Sequence, residues 1–415
     1  MNTIKRHLIN TLSALATHLL LLLLVQSAWA GRTADRLFQM GDDAAENASA
    51  NITVGSGAGN VFPSHTLDSA GQPGAGNFQD LLVVGDPKYV NTSARPHADA
   101  NDLGIRFDGV DDYLEALRLG QPSTSEPAVT GVDGLAPEDY SGINNRGLQF
   151  WANPDPAGNG NVQALVQDTE QHGVRISAAG TWIMRYNNVD VDSGVGVEFG
   201  EWSHLMLVRP SGAAGGSQLY LNGVAIAARG GGYNGGDERP LTVGANTGDG
   251  SPVFPGTADF YTGIIDDLEL FVLGTSTATQ TDYGTFDLGS DNPVAVELLS
   301  GFVAGDINGD GVVNGDGTGL AASDDITAYL DNWLFENRVN GILTGDVNTR
   351  QHGDFDFDGI VDLDDWQVLR MTHPNGAGLN LGALLNARGV PEPCALTLWL
   401  GVSAAFLHLL RLREH

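Results

Sequence analysis

Asn222-Gly223 stands between strand-like runs at 218–221 and 224–227, and no other short stretch restricts the fold of this chain as tightly. Asn-Gly supplies positive φ at both centres of a type I′ turn, whose twist matches that of two antiparallel strands. The sequence therefore predicts a hairpin. A glycine-rich connection, 212–216, joins it to residues 205–208, which are apolar at every position, as expected of a strand covered on both faces. That strand is expected to be buried.

From 31 to about 274 the chain alternates short apolar runs with Gly, Asn, Asp and Pro turns, the spacing of an antiparallel sandwich, and no long helical period interrupts it. Its 56 glycines suit a loop-rich β protein. Trp202, His204 and Val208, followed by Leu-Tyr-Leu-Asn-Gly-Val at 219–224, resemble the central hairpin of laminin-G-like domains in the concanavalin-A-like lectin and glucanase superfamily. The blocks GIRFDGVDDYLEAL (104–117), GLQFW (147–151), LTVGA (241–245) and YTGIIDDLELF (261–271) resemble further parts of that family in its order. In the first of them two strand fragments are expected to pair across the Asp-Gly-Val-Asp-Asp turn. The resemblance implies a mainly β, antiparallel jelly-roll sandwich over 31–274.

The superfamily includes carbohydrate binders, adhesion modules and retaining glycosidases. In the glycosidases, carboxylates stand at alternate strand positions, because side chains two apart share a face. Asp267 and Glu269 have that spacing, but no third carboxylate continues the pattern of the glucanase branch, and Phe199-Gly200 breaks strand spacing between Glu198 and Glu201. The expected roles are structural, with Asp266 bonding nearby loop backbone and Glu269 on a solvated strand face. No catalytic residue is assigned, and the chain is read as non-enzymatic. His204, with Trp202 and Met206 on its face, reads as a core or edge histidine. Asp108, Asp111 and Asp112 suit a rim cation or an Asp-Gly turn, the turn being favoured. Tyr186, Tyr233 and Tyr261 suit stacking on sugar rings or packing in the core.

Residues 306–314 read DINGDGVVN and residues 354–365 read DFDFDGIVDLDD. Calcium takes about six to eight oxygens, so acidic or amide side chains recur at loop positions one, three, five and nine, a carbonyl serves at seven, and glycine at six makes the turn. In the second loop Asp354, Asp356, Asp358 and Asp362 would bind through side chains and Ile360 through its carbonyl, with Asp365 closing the shell. In the first, Asp306, Asn308, Asp310, the Val312 carbonyl and Asn314 take the matching places. There the extra residues 315–322 push the closing acid out to Asp325, with Asp316 as the alternative. Ca2+ is the expected cofactor.

The duplication, the closing Asp in place of the EF-hand Glu, and the helix expected after each loop resemble type I dockerin repeats. After the first loop Ile326, Tyr329, Leu330, Trp333 and Leu334 form an apolar stripe expected to pack on Trp366 and Leu369. The resemblance implies a cohesin-like partner chosen by residues ten and eleven of the loops. Those are Leu363 and Asp364 in the second loop and, with the insertion set aside, Ser323 and Asp324 in the first. A calcium-stiffened spacer is the other reading. The dockerin-like module is placed at 304–375, between linkers at 275–303 and 376–389.

Both ends read as addresses. Lys5 and Arg6 precede an apolar stretch, 19–25, and Ala28-Trp29-Ala30, as in a secretory signal peptide (1–30) cleaved after Ala30, with an uncleaved anchor as the alternative. Val390-Pro391-Glu392-Pro393, the mostly apolar residues 394–410, and Arg411 and Arg413 resemble the PEP-CTERM sorting signal (390–415). That resemblance implies a C-terminal transmembrane helix held briefly in the inner membrane, cleavage by an exosortase-type enzyme, and delivery to the cell surface or beyond. A plain membrane anchor would look the same. The 20 Lys+Arg against 51 Asp+Glu, formally −31, exclude nucleic acid as an expected partner. Cys394 is the only cysteine, so no disulfide framework can form within the chain.

The leading functional expectation is a surface or matrix protein that binds a polysaccharide or matrix glycan. A structural protein that uses the dockerin-like module for attachment is the competing class, and a glycoside hydrolase is third.

Overall fold

The computed structural model describes residues 32–41, 65–66, 81–116, 146–168, 172–209, 216–231, 241–246, 258–273 and 288–389. The signal-peptide segment, Tyr233 and the sorting segment lie outside them. Among the described residues no helix is long and apolar enough to cross a membrane. The chain divides into two compact units, Met1–Val296 with Val339–Ile342, and Glu297–Arg338 with Leu343–His415.

The first unit is built from two antiparallel sheets. In one, Ser203–Arg209 lies between Gly216–Leu221 and Arg146–Pro154; Thr262–Leu273 follows, with Arg32–Phe38 and Leu103–Asp108 along its other edge. The other orders Val189–Gly196, Thr181–Tyr186, His172–Ile176, Gln163–Asp168, Thr242–Val243, Tyr113–Ala116 and Leu81–Val84. Asn222 and Gly223 make the predicted turn with φ of +50° and +81°. Ser203–Arg209 is buried at every residue, because its alternate faces are both covered. Leu205, Leu207 and Phe150 of the first sheet join Leu165, Val174, Ile176, Trp182 and Met184 of the second in one core. Each such buried side chain contributes about 1.5–3 kcal/mol. Gly147 is required where Phe271 crosses the neighbouring strand, since a Cβ there would come within 2.1 Å of Phe271 Cζ.

Two expectations fail here. Leu103–Asp108 and Tyr113–Ala116 do not pair with each other. The first pairs with Thr262–Leu273 and the second with Leu81–Val84, so the Asp-rich turn carries the chain from one sheet to the other. Asp267 and Glu269 do not share a strand face either. Opposite Trp151 and Gln149 the strand inserts an extra residue between Asp266 and Glu269, and Asp267 turns out with φ +46°.

The second unit has its own core. Asp325–Asp331 and Leu363–Thr372 pack through Ile326, Tyr329, Leu330, Trp366 and Leu369, with the Tyr329 and Trp366 rings 5.5 Å apart. The first of these helices stops at Asp331, so Leu334, expected in the stripe, is left 49% exposed at positive φ. The segment 376–389, read as a linker, is part of the module. Its helix Leu381–Ala387 starts where Asn380 accepts a hydrogen bond from the Ala383 N–H and buries Leu381 and Leu385, one turn apart, in the same core. The linker at 275–303 likewise holds short helices, Leu288–Asp291 and Pro293–Leu299, the latter started by Asn292 accepting from the Val294 and Ala295 N–H groups.

Candidate functional site

The two Asp-rich loops repeat one hydrogen-bond ladder. At position one, Asp306 Oδ2 accepts from the Gly311 N–H at 2.8 Å and Asp354 Oδ2 from the Gly359 N–H at 3.0 Å. At position three, Asn308 and Asp356 accept from the amides of Asp310 and Asp358. At position five, Asp310 and Asp358 accept from Val312 and Ile360, 2.9 and 2.8 Å. The glycines at position six have φ of +86° and +88°. Asn314 and Asp362 stand at position nine. There Asp362 also caps the following helix through the Asp364 N–H.

The closing acids are equivalent despite the insertion. Asp365 accepts from the amides of Phe355, Asp356 and Asp362. Asp325 accepts from Ile307, Asn308 and Asn314, the same three loop positions. Asp316 is exposed and plays no such part, accepting only from Thr318 next to it. The extra residues instead collect around Asp324, whose carboxylate takes the amides of Asp316, Gly317, Gly319 and Thr327. Burial alone would raise its pKa, but these four donors hold it below the usual value.

Asp354 is fully buried, and its Oδ1 has no hydrogen-bond partner. Such an oxygen costs stability unless something positive faces it. Carboxylate oxygens of Asp354, Asp356 and Asp358 lie within 4.8 Å of one another. Burial pushes the carboxyls of Asp354 and Asp365 up to about 7 and raises those of Asp356 and Asp358. An all-oxygen, anionic donor set with one unused buried oxygen suits a hard divalent cation.

Two predictions follow from this geometry. A cation must displace the protons of Asp354 and Asp365, so its affinity should weaken as pH falls below about 7. Titrations at about pH 8 and about pH 5.5 test this. Without a cation the sign reverses. The folded module binds these two protons more tightly than the unfolded chain, so the stability that Asp354 and Asp365 contribute is fully present below the ordinary carboxylate value of 3.8 and is lost as pH rises through about 7. Secondly, Gly311→Ala meets nothing within 4 Å and should cost about 1–2 kcal/mol from left-handed strain alone. Gly359→Ala adds a clash, with Thr344 N at 2.5 Å, and should lower the melting temperature further.

In the sandwich, Tyr186 and Tyr261 are buried, and no Phe, Tyr or Trp of the first unit is exposed among the described residues. His204 is buried edge-on to Trp151, ring centroids 5.1 Å apart, in keeping with a core histidine. Asp112 accepts from the amides of Asp86 and Asp108, and Asp108 from Val110, so these two shape the turn, while carboxylate oxygens of Asp108, Asp111 and Asp112 also lie within 4.8 Å of one another, as a rim cation would require. Glu269, expected on a solvated face, is 7% exposed and takes the Gln149 Nε2 at 2.6 Å. Asp266, fully buried, accepts Arg95 Nε at 2.8 Å as well as the Asp267 N–H.

The outer face of the seven-stranded sheet carries a polar network. Arg175, set between core residues Val174 and Ile176, is 4% exposed and faces Asp190 at 3.6 Å and Asp259 at 3.3 Å. Arg185 reaches Asp190 at 2.7 Å, and Asn246 donates to Asp259. The Gln167 amide, turned to suit its neighbours, accepts from Arg175 Nε and donates to Asn246. The guanidinium of Arg175 is thereby linked to amides and carboxylates from neighbouring strands and loops. None of these polar residues was singled out from the sequence, since each is an unremarkable strand residue until the register brings them together.

Residues 141–278 match the family model described as the concanavalin A-like lectin/glucanases superfamily. The lectin/glucanase match lies within the first unit, and the sheets extend beyond it to Arg32–Phe38 and Leu103–Asp108. No curated protein matches the chain. Among solved structures, domain 4 of AbnA, an extracellular arabinanase from Geobacillus stearothermophilus in complex with arabinotriose, is 13% identical with a TM-score of 0.34, over 64% of this chain and 99% of that one. A Trypanosoma rangeli sialidase with sialic acid is 12% identical with a TM-score of 0.34, over 55% of this chain and 31% of the sialidase. A pentraxin from Limulus polyphemus is 17% identical with a TM-score of 0.25, over 33% and 67%.

Proposed function

We propose that this chain is an exported surface protein that binds carbohydrate through its lectin-type sandwich and carries a calcium-held, dockerin-like module. The calcium part rests on the buried, partnerless Asp354 Oδ1 within a ladder that the chain builds twice. Asp354, Asp356, Asp358, Asp362, Asp365 and the Ile360 carbonyl would hold the ion, which supplies charge compensation and rigidity. In the first loop Asp306, Asn308, Asp310, Asn314, Asp325 and the Val312 carbonyl would do so. The family description supports the glycan part, and the Arg175 network offers planar hydrogen-bonding groups of the kind that orient a polar ligand. No catalytic role is assigned: Asp267 and Glu269 are engaged by Arg95 and Gln149. Export and exosortase-type cleavage at 390–393 complete the reading.

The competing reading, a protein that assembles a surface through its dockerin-like module, gains from the lack of exposed aromatic rings in the described sandwich. Attachment would then use the second loop, where Leu363 is 58% exposed and Asp364 is exposed, because Asp324 of the first is buried in its own cap. A polysaccharide array probed with the full chain, in calcium and in chelator, separates the two. Saturable binding to one glycan that Arg175→Ala abolishes supports the lectin reading, and silence throughout supports assembly.

A further inference from the structure

The two loops differ as cation sites although their backbones match. The second offers the carboxylates of Asp354, Asp356, Asp358, Asp362 and Asp365, and the first only those of Asp306, Asp310 and Asp325. Both oxygens of Asp306 already accept amides, those of Gly309 and Gly311. On the calcium reading above, the second loop is expected to fill first, since affinity follows ligand charge and rigidity.

Two adjacent residues touch both loops. In the short turn Thr349–His352, the Thr349 hydroxyl shares its one proton between Asp354 Oδ2 at 2.7 Å, at position one of the second loop, and the Asp346 carbonyl at 2.9 Å. Arg350, 5% exposed, donates through Nη1 to the Asp306 carbonyl at 3.0 Å, at position one of the first loop, and through Nη2 to the Val303 carbonyl at 2.6 Å. Its guanidinium also lies 4.6 Å from the centre of the Phe355 ring, and the Phe355 amide donates to the closing acid Asp365. Buried charge-assisted bonds of this kind are strong and directional. The Asp354 carboxylate and the Asp306 backbone are thus joined through one turn of chain.

We infer that Thr349 and Arg350 couple the two loops, so that a cation held by the second raises the affinity of the first. Coupling of this kind needs two sites and a contact that differs between their states, and it requires no movement of either helix. Because the second loop fills while the first is empty, the coupling appears in the second binding step alone.

Calcium chloride titrated by calorimetry into the chelator-stripped full chain tests this. The step lost in Asp310→Ala marks the first loop, and Asp358→Ala, at an exposed position, silences the second. With Arg350 in place, Asp358→Ala should weaken the first loop roughly tenfold, within the usual range of site-to-site coupling. In an Arg350→Met chain the same change should leave the first loop's affinity where that variant sets it, which a purely structural role for Arg350 would not produce. Thr349→Val, the loss of one hydroxyl, should reduce the coupling too and guards against misfolding of the arginine variant. Equal first-loop affinity with and without Asp358→Ala overturns the coupling, as does full coupling that survives both Arg350→Met and Thr349→Val. A flat isotherm for the unaltered chain overturns the calcium reading itself, and the coupling with it.

Discussion

Stripping calcium from the full chain is expected to lower the melting temperature of the second unit by roughly 15–30 °C and to leave the sandwich transition in place. The size follows from mass action: an ion at about a thousandfold its Kd stabilises the folded state by about 4 kcal/mol, and each kcal/mol shifts a module of this size by about 4–8 °C. The direction follows from the second loop, where carboxylates with no cation among them repel one another and leave Asp354 Oδ1 buried and unpaired. Asp354→Ala should reproduce most of the loss in saturating calcium. Differential scanning calorimetry of both proteins, with and without chelator, would show it. Two transitions that ignore chelator would refute the calcium reading.

Arg95→Ala should destabilise the sandwich by about 3–5 kcal/mol, the usual cost of leaving a buried charge without its partner. Arg95 is 6% exposed and sits 2.8 Å from Asp266, which is fully buried, 2.8 Å from Asp267 and 3.1 Å from Asp102, with its guanidinium 5.7 Å from the Trp151 ring centre. Three carboxylates and an aromatic face thus meet at one cation. Asp266→Asn in the Arg95→Ala background should recover part of the loss, because it removes the stranded charge. Denaturant unfolding of the single and double variants measures both effects, and an Arg95→Ala chain as stable as the parent would contradict this account.

The sequence carried the local rules well and the long-range ones poorly. Asn222-Gly223 and the apolar run beside it were legible because turn chemistry and strand burial act within a few residues. The positions of both Asp-rich loops were legible for the same reason, since their ladder runs between residues two to five apart. The Asp108–Asp112 turn misled because an Asp-Gly turn reads alike whether its strands pair or part to opposite sheets. Glu269 looked solvated because nothing local foretells Gln149, which only the register sets opposite it. Asn340-Gly341, between Arg338–Val339 and Ile342–Leu343, is a second hairpin turn of the predicted kind, φ +49° and +82°, passed over because its strands are only two residues long.

The collar around Asp324 makes the extra residues of the first loop a permissive graft point. Asp325 sets the geometry of the loop and Asp324 absorbs the surplus chain, so length is handled by one side chain and closure by the next. Leu320, at the far side of the surplus, is 78% exposed. A tag or peptide epitope spliced beside it would be displayed outward with both closing contacts kept, and related chains could lengthen or shorten here without redesigning the rest of the module.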